Sequence, residues 1–234
     1  MGVQIVGEMD SELSWSKLEM NEIIVAGEPC LIIRNPMIPR MVICNSLLHP
    51  LLSQLKNPEE FVAFVSEPCV APPGLDVVLV TAFWPRCVFN QASEIDASSR
   101  PAQIIKPQNL MLVESELYMK MTKKSCLFGD FLDSLLLHTE DKRKVYGILS
   151  KVRAMMRENK SYGLFFLTEV RGMEDVVDQA AGIFEIVVKA KVETEHDEPL
   201  LSLTIVKHPN IAEIDKRIEV VFEEGQPKRR RALS

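Results

Sequence analysis

Several features that would mark particular classes of protein are scarce in this chain of 234 residues. Aromatic residues make up only 6% of it, so its core must consist mainly of aliphatic side chains. No apolar run approaches the ~18 residues that a membrane-spanning helix needs. Residues 1–10 are mixed and acidic, unlike a secretory leader. We therefore expect a cytoplasmic protein without a membrane partner.

Cysteine and histidine are too scattered to suggest a metal centre or a disulfide framework. The five cysteines are an odd number without a Cys-x-x-Cys pair, and no histidine spacing matches a metal site. These patterns predict free thiols in a reducing compartment and no bound metal. The residues are Cys30, Cys44, Cys69, Cys87 and Cys126, and His49, His138, His196 and His208.

Basic charge is also in deficit, which makes a nucleic-acid-binding surface unlikely on composition alone. The formal net charge is −6, and the acidic excess falls in residues 1–100, which hold 12 acidic and 6 basic side chains. The basic stripe of a predicted helix over residues 142–157 is typical of a solvated face. A basic run near the end is expected to be a solvated tail, the one place where nucleic acid could bind: Lys228, Arg229, Arg230 and Arg231.

Apolar residues, in contrast, are plentiful at 47%, and they alternate between short runs and helical stripes. This alternation predicts an α/β sandwich with a mixed sheet. Strands are predicted near residues 30–33, 61–65, 76–82, 102–105 and 162–170, and helices within residues 127–160 and 174–181. Three more strand-like runs, at 184–192, 200–207 and 217–223, lack room for crossover helices between them. They should therefore be antiparallel.

The central strand is expected at residues 109–116, which read Asn-Leu-Met-Leu-Val-Glu-Ser-Glu. Four consecutive apolar residues after Pro107 fit a strand that is buried on both faces of a parallel sheet. Its carboxyl end would carry Glu114 and Glu116 to the crevice where open α/β sheets bind ligands. The two carboxylates could be a general acid–base pair, or simply solvated partners of a basic side chain.

The first predicted strand leads into residues 34–41, where a phosphate-binding loop of the pattern G-x-x-x-x-G-K-[ST] would lie. Several segments occur in the same order along this chain as in a known family of domains. They are the entry at residues 27–32 (Gly-Glu-Pro-Cys-Leu-Ile), this loop position and the closing stretches 203–210 and 218–224. In that order the chain resembles the RecA-superfamily ATPase domain, especially its KaiC-like branch. Residues 112–115 look like the Walker B strand of that family, with Glu114 in place of Asp, and residues 164–169 look like the strand after it.

The resemblance implies an architecture and a division of the chain. The implied fold is a RecA-like three-layer α/β sandwich with a mostly parallel central sheet and antiparallel C-terminal strands. Residues 1–21 would be an N-terminal lead-in, residues 22–225 a single RecA-like domain, and residues 226–234 a basic flexible tail.

The loop itself departs from the family pattern at every defining position. Arg34 and Pro39 replace its glycines, Arg40 replaces its lysine, and Met41 replaces its hydroxyl residue. Glycine gives a phosphate cradle its inward-facing N–H groups, whereas proline has no N–H at all. Mg²⁺ needs oxygen ligands, which methionine lacks. We therefore expect no ATP hydrolysis, no enzymatic activity and no bound cofactor.

Three functional hypotheses follow. The first is a non-catalytic RecA/KaiC-like domain that acts as a regulatory or scaffolding subunit by binding a protein partner or forming a homo-oligomer. The second is a nucleotide- or anion-binding module at the degenerate loop, with Arg34 and Arg40 as the cationic residues and Glu114 and Glu116 as relics. The third is an unrelated enzyme that uses Glu114 and Glu116.

Overall fold

The computed structural model describes residues 23–38, 61–66, 76–80, 103–122, 126–195, 198–223 and 226–230. Its strands form one mixed sheet in the order β10-β9-β8-β7-β1-β6-β5-β2-β3-β4. Their bounds are β1 Cys30–Arg34, β2 Phe61–Val65, β3 Asp76–Val80, β4 Gln103–Ile105, β5 Cys126–Asp130, β6 Tyr162–Thr168, β7 Ile186–Glu195, β8 Glu198–Lys207, β9 Arg217–Glu223 and β10 Gln226–Arg230.

The sheet is parallel from β7 to β4 and antiparallel from β7 to β10. β1 lies between β6 and β7 and pairs with both in parallel, and the neighbours β5, β2, β3 and β4 continue the same direction. β7, β8, β9 and β10 are joined by antiparallel pairs. This arrangement confirms the predicted mostly parallel sheet with antiparallel C-terminal strands. The last strand, Gln226–Arg230, lies within the segment that the sequence predicted to be a tail.

Four described α-helices cover one face of the sheet: α1 Leu110–Met121, α2 Leu132–His138, α3 Lys142–Asn159 and α4 Glu174–Ile183. Asp141 begins α3, because its side chain accepts a hydrogen bond from the Arg143 N–H. Each helix buries an apolar stripe against side chains of the strands. Buried members of this core include Val113, Leu117, Leu135, Ile148, Val152, Val177, Leu31, Ile33, Phe165 and Leu167.

The other face of the sheet carries a second, equally buried apolar cluster. Because side chains alternate along a strand, Cys30 and Ile32 of β1 lie on this face while their neighbours lie on the first. Its described members include Ile23, Ile24, Ile38, Phe61, Phe128, Phe166, Val188 and Leu203. No helix in the described part of the chain is both long enough and apolar enough to cross a bilayer.

The structure differs from the prediction in two segments: one predicted strand is a helix, and part of one predicted helix is a strand. Residues 110–116 belong to helix α1, whereas residues 127–130, predicted to begin a helix, belong to strand β5. The Asn109 side chain accepts a hydrogen bond from the Leu112 N–H and thereby caps α1. Burial at Val113, Leu117 and Met121 recurs every fourth residue, which is a helical period. The prediction of a central strand at residues 109–116 is therefore wrong.

Three of the six basic side chains of α3 pair with acidic side chains in the described part of the chain. Lys151 contacts Glu114 of α1. Near the amino ends of the parallel strands, Arg153 binds Glu185, and Arg157 binds Glu28 through both carboxylate oxygens. We call Glu28, Arg153, Arg157 and Glu185 the amino-edge cluster. Such pairing agrees with a solvated structural face.

Candidate functional site

The carboxyl ends of the parallel strands meet at one edge of the sheet, the edge at which ligands bind in open α/β folds. β1 ends at Arg34 and β6 at Thr168, and these two residues lie opposite each other in the pairing register. β5 ends nearby at Asp130, and α2 begins two residues later. The edge therefore brings together polar residues that lie far apart in the sequence.

Arg34 is the buried cation of this edge, with a relative exposure of 6%. Its Nη1 donates to the carbonyl oxygen of Ile38 at 3.0 Å, and its Nη2 donates to Oδ2 of Asp133 at 3.4 Å. Its Nε is buried and has no hydrogen-bond partner among the described residues. A guanidinium group carries five N–H donors, so the described residues engage only part of its capacity.

Asp133 is the anion of the pair, and it is held mainly by β6. Its Oδ1 accepts from the Thr168 N–H at 2.8 Å, and its Oδ2 accepts from the Thr168 hydroxyl at 2.5 Å. Its side chain is 13% exposed. We call Arg34, the Ile38 carbonyl, Asp133 and Thr168 the carboxyl-edge network, because it joins the end of β1, the following turn, α2 and β6.

The turn after β1 directs its described N–H groups to the protein itself. The Asn35 N–H donates to the carbonyl of Ala190 at 3.2 Å, and the Ile38 N–H donates to the carbonyl of Asn35 at 3.0 Å. The Met37 N–H donates to the Asn35 side chain at 2.8 Å, and Pro36 has no N–H. In residues 35–38, therefore, every N–H is already in a hydrogen bond, and the Ile38 carbonyl points to Arg34.

Asp130 is a second buried acidic residue of this edge that the sequence analysis missed. It is 7% exposed, and its carbonyl oxygen accepts from the Ser66 N–H at 2.9 Å, which ties the end of β5 to the end of β2. The signal was present in the sequence, since residues 126–130 (Cys-Leu-Phe-Gly-Asp) are a mostly apolar run that ends in a carboxylate. Asp133 and Thr168 carried no comparable signal.

The predicted site residues do not all lie in one place in the structure. Arg34 lies in the carboxyl-edge network, whereas Arg40 lies outside the described residues, as do Pro39 and Met41. Glu114 and Glu116 do not stand at a strand end, because both lie in helix α1. Glu114 pairs with Lys151 at 2.5 Å, and Glu116 is buried with an exposure of 6%. The expectation that they mark the ligand crevice is therefore wrong.

Among the described residues, the cysteines of the sheet are the buried Cys30 and Cys126. Burial raises the pKa of the Cys30 thiol, and likewise that of the Cys126 thiol, which keeps both protonated and unreactive at neutral pH. Within the described part of the chain, no group of three or more histidine, cysteine, aspartate or glutamate residues could hold a metal ion.

Known structures share this arrangement of strands and helices. Flagellar accessory protein FlaH from Methanocaldococcus jannaschii is 14% identical in sequence and superposes with a TM-score of 0.64, over 94% of this chain and 98% of that one. A KaiC-like protein from the hyperthermophilic archaeon Pyrococcus horikoshii is 13% identical, with a TM-score of 0.59 over 90% and 94% of the two chains. This chain has the RecA/KaiC-like fold.

At these identities, the likeness concerns the RecA/KaiC-like fold and not the chemistry of the site. Comparison of the sequence with protein-family models finds no match, and comparison with curated proteins finds none either. The architecture that the sequence resemblance implied is thus confirmed, while the role of the carboxyl-edge network has to be argued from its own geometry.

Proposed function

We propose that this RecA/KaiC-like domain does not hydrolyse ATP and acts as a regulatory or scaffolding subunit that binds another protein. The observation that carries the proposal is the turn after β1. A phosphate cradle needs several free N–H groups that point inward. The N–H groups of Asn35, Met37 and Ile38 are all in hydrogen bonds with the protein, and the Ile38 carbonyl accepts from Arg34. The turn thus presents an acceptor where a phosphate would need donors.

The electrostatics of the edge support the same conclusion. Phosphoryl transfer relies on a metal ion and fixed cations to stabilise the charge that spreads over the transferred group. The Arg34 charge is opposed by Asp133, and the Asp133 carboxylate is engaged by Thr168 as well. The sequence also supplies Arg40 and Met41 where the compact lysine and the metal-binding hydroxyl would stand.

A surface suited to a protein partner lies on α1. Residues seven apart in a helix lie on nearly the same side, which places Met111 with Tyr118 and Leu112 with Met119. All four are exposed, Met111 by 83% and Tyr118 by 63%. We call them the outer face of α1. An exposed apolar face of this kind is typical of surfaces that bind another protein. The accessory role stated for FlaH is a supporting analogy.

Hydrolysis is tested by incubating the purified protein with ATP and Mg²⁺ and measuring phosphate release. We expect release at the rate of the buffer alone, and the same rate for Arg34→Met. Hydrolysis above background that co-elutes with the protein and is lost in Asp133→Asn would contradict the proposal, because it would show a working site at this edge.

Binding through α1 is tested by sedimentation across a range of protein concentrations and by co-purification from the native host with mass spectrometry. Tyr118→Glu places a charge within the outer face of α1 and should abolish the association. The matched control is Leu137→Glu, since Leu137 of α2 is also apolar and 61% exposed. A protein that stays monomeric and recovers no partner, or one that loses association equally in both variants, would contradict the role of this face.

The second candidate is a nucleotide- or anion-binding module, and the buried Arg34 Nε without a described partner favours it. Thermal-shift measurements with ATP, ADP, GTP and cyclic nucleotides test it. Stabilisation at millimolar ligand that disappears in Arg40→Ala would support this candidate. An unchanged response in Arg40→Ala, or the absence of stabilisation, would remove it.

A further inference from the structure

In the carboxyl-edge network, the anion is held by shorter hydrogen bonds than the cation. Asp133 receives two short hydrogen bonds from Thr168, at 2.8 and 2.5 Å. Arg34 reaches the same carboxylate at only 3.4 Å and through one nitrogen. The carboxylate is therefore well satisfied by neutral donors, whereas the buried guanidinium has N–H groups, among them Nε, that no described residue accepts.

A buried guanidinium with free donors is chemically suited to a small oxyanion. Arginine binds carboxylate and phosphate groups in a bidentate manner, through two parallel N–H groups of its planar fork. In Arg34, Nε lacks a described partner and the adjacent Nη2 has only the long contact with Asp133. The Asp133 carboxylate contacts Nη2, one of the two nitrogens of that pair, and its negative charge would repel an oxyanion bound there.

We propose that Asp133 is an internal anion ligand that occupies Arg34 and prevents it from binding an oxyanion from solution. Thr168 acts as the positioning residue, because its N–H and hydroxyl fix the carboxylate beside the guanidinium. The contact is autoinhibitory, and its removal uncovers a site for formate-like carboxylates or inorganic phosphate. This inference rests on the proposed function, in which the wild-type edge does not bind and process nucleotide, and it names the residue that closes the edge.

The test removes the Asp133 carboxylate and supplies one from solution. The thermal midpoints of wild type, Asp133→Ala and the double variant Arg34→Met/Asp133→Ala are measured in sodium chloride, sodium formate and sodium phosphate at equal ionic strength. We expect formate or phosphate at ~20 mM to raise the midpoint of Asp133→Ala by about 4 °C relative to chloride. Wild type and the double variant should not respond.

The two anions distinguish the size of the uncovered site. A response to formate alone would define a carboxylate-sized site, and a response to phosphate as well would define a phosphate site. Equal responses in wild type, or a response of the double variant equal to that of Asp133→Ala, would overturn the proposal. So would an Asp133→Ala protein that is folded and unresponsive to both anions.

A second variant covers the case in which Asp133→Ala does not fold in chloride. Its folded circular dichroism signal should then be recovered by adding formate or phosphate. Asp133→Ser also removes the carboxylate and leaves most of its space empty, so it should show the same anion-dependent rise in midpoint. If neither variant responds to either anion, Asp133 is not an internal ligand. That failure is distinct from failure of the proposed function, which would appear as ATP hydrolysis by the wild-type protein.

Discussion

The two edges of the parallel sheet carry charged groups that are built in opposite ways. In the amino-edge cluster, Arg157 is 52% exposed and binds both oxygens of Glu28, at 2.7 and 2.9 Å. In the carboxyl-edge network, Arg34 is buried and the Asp133 oxygen, its nearest carboxylate oxygen among the described residues, lies at 3.4 Å. By distance alone the amino-edge pair would be the stronger one.

Burial reverses that ranking for the effect of a mutation. An exposed ion pair is screened by water and contributes about 0–1 kcal/mol to stability. Removal of one partner of a buried pair leaves an uncompensated charge, which costs about 3–5 kcal/mol. Single substitutions at the amino edge should therefore change the stability of the protein little, whereas single substitutions at the carboxyl edge should have large effects.

The largest effect is expected for Asp133→Ala in a buffer that contains neither phosphate nor carboxylate. Arg34 would keep its buried charge without a described acidic partner, so we expect a loss of about 3 kcal/mol in the free energy of unfolding, measured with urea. The control is Asp178→Ala, an exposed aspartate of α4, which should change stability by less than about 0.5 kcal/mol. Equal losses in both variants would erase the contrast between the edges.

A pair of glycines tests the same contrast in packing. A methyl group on Gly129, near the carboxyl edge, would lie 2.7 Å from the Phe165 ring, whereas one on Gly163, near the amino edge, would lie 2.7 Å from the flexible end of Met156. Because methionine can move aside and a packed ring cannot, Gly129→Ala should cost about 2 kcal/mol and Gly163→Ala about 1 kcal/mol. Thermal unfolding measures both, and the reverse order would contradict the argument.

Two residues with a left-handed backbone conformation should respond to substitution in opposite directions, with smaller changes in the free energy of unfolding. Lys160 ends α3 with φ 54°, and Gly172 lies beyond β6 with φ 85°. Gly172→Ala should lose about 1 kcal/mol of unfolding free energy, because a Cβ is strained there even in open space. Lys160→Gly should gain about 0.5 kcal/mol, since glycine adopts this conformation freely at a helix end. A gain in Gly172→Ala would show that the strain argument does not hold.

The smallest effect is expected for Arg157→Ala, in spite of its short contacts. Its side chain is half exposed, so we expect a loss of about 0.5 kcal/mol at low salt. The loss should become smaller near 1 M sodium chloride, because salt weakens an exposed ion pair. Urea unfolding at the two salt concentrations gives the difference. A loss that is both large and independent of salt would place the amino-edge cluster in the same class as the buried pair.

The sequence predicted the positions of most strands because they are short, apolar and separated by turns. It failed where an apolar run is equally compatible with a strand and with a buried helix. Residues 110–113 form such a run, and the decisive cues lay on either side of it: the Asn109 cap before it, and Leu117 and Met121 at intervals of four after it. Residues 127–130 were predicted as part of a helix, whereas they belong to strand β5 and helix α2 begins only at Leu132.

The site was harder to predict than the fold. Arg34 was predicted as a site residue because it stands at the first glycine position of the phosphate-loop pattern, and it does lie in the carboxyl-edge network. Its partner Asp133 is 99 residues away in sequence, and Thr168 belongs to yet another strand. No periodic pattern relates such residues, because only the pairing of β1 with β6 and the start of α2 after β5 bring them together. Polar contacts between distant segments are a product of the topology.

The ends of the sheet have a consequence for how copies of this protein can meet. The strand at one end, β4, has three residues, and the strand at the other, β10, reads Gln-Pro-Lys-Arg-Arg. Very short edge strands, and edge strands with proline and like charges, are poor templates for a further strand. Growth of the sheet from one molecule into the next is therefore disfavoured at both ends. An assembly of this chain is therefore not expected to form through these two edge strands, which disfavours fibril-like growth of the sheet.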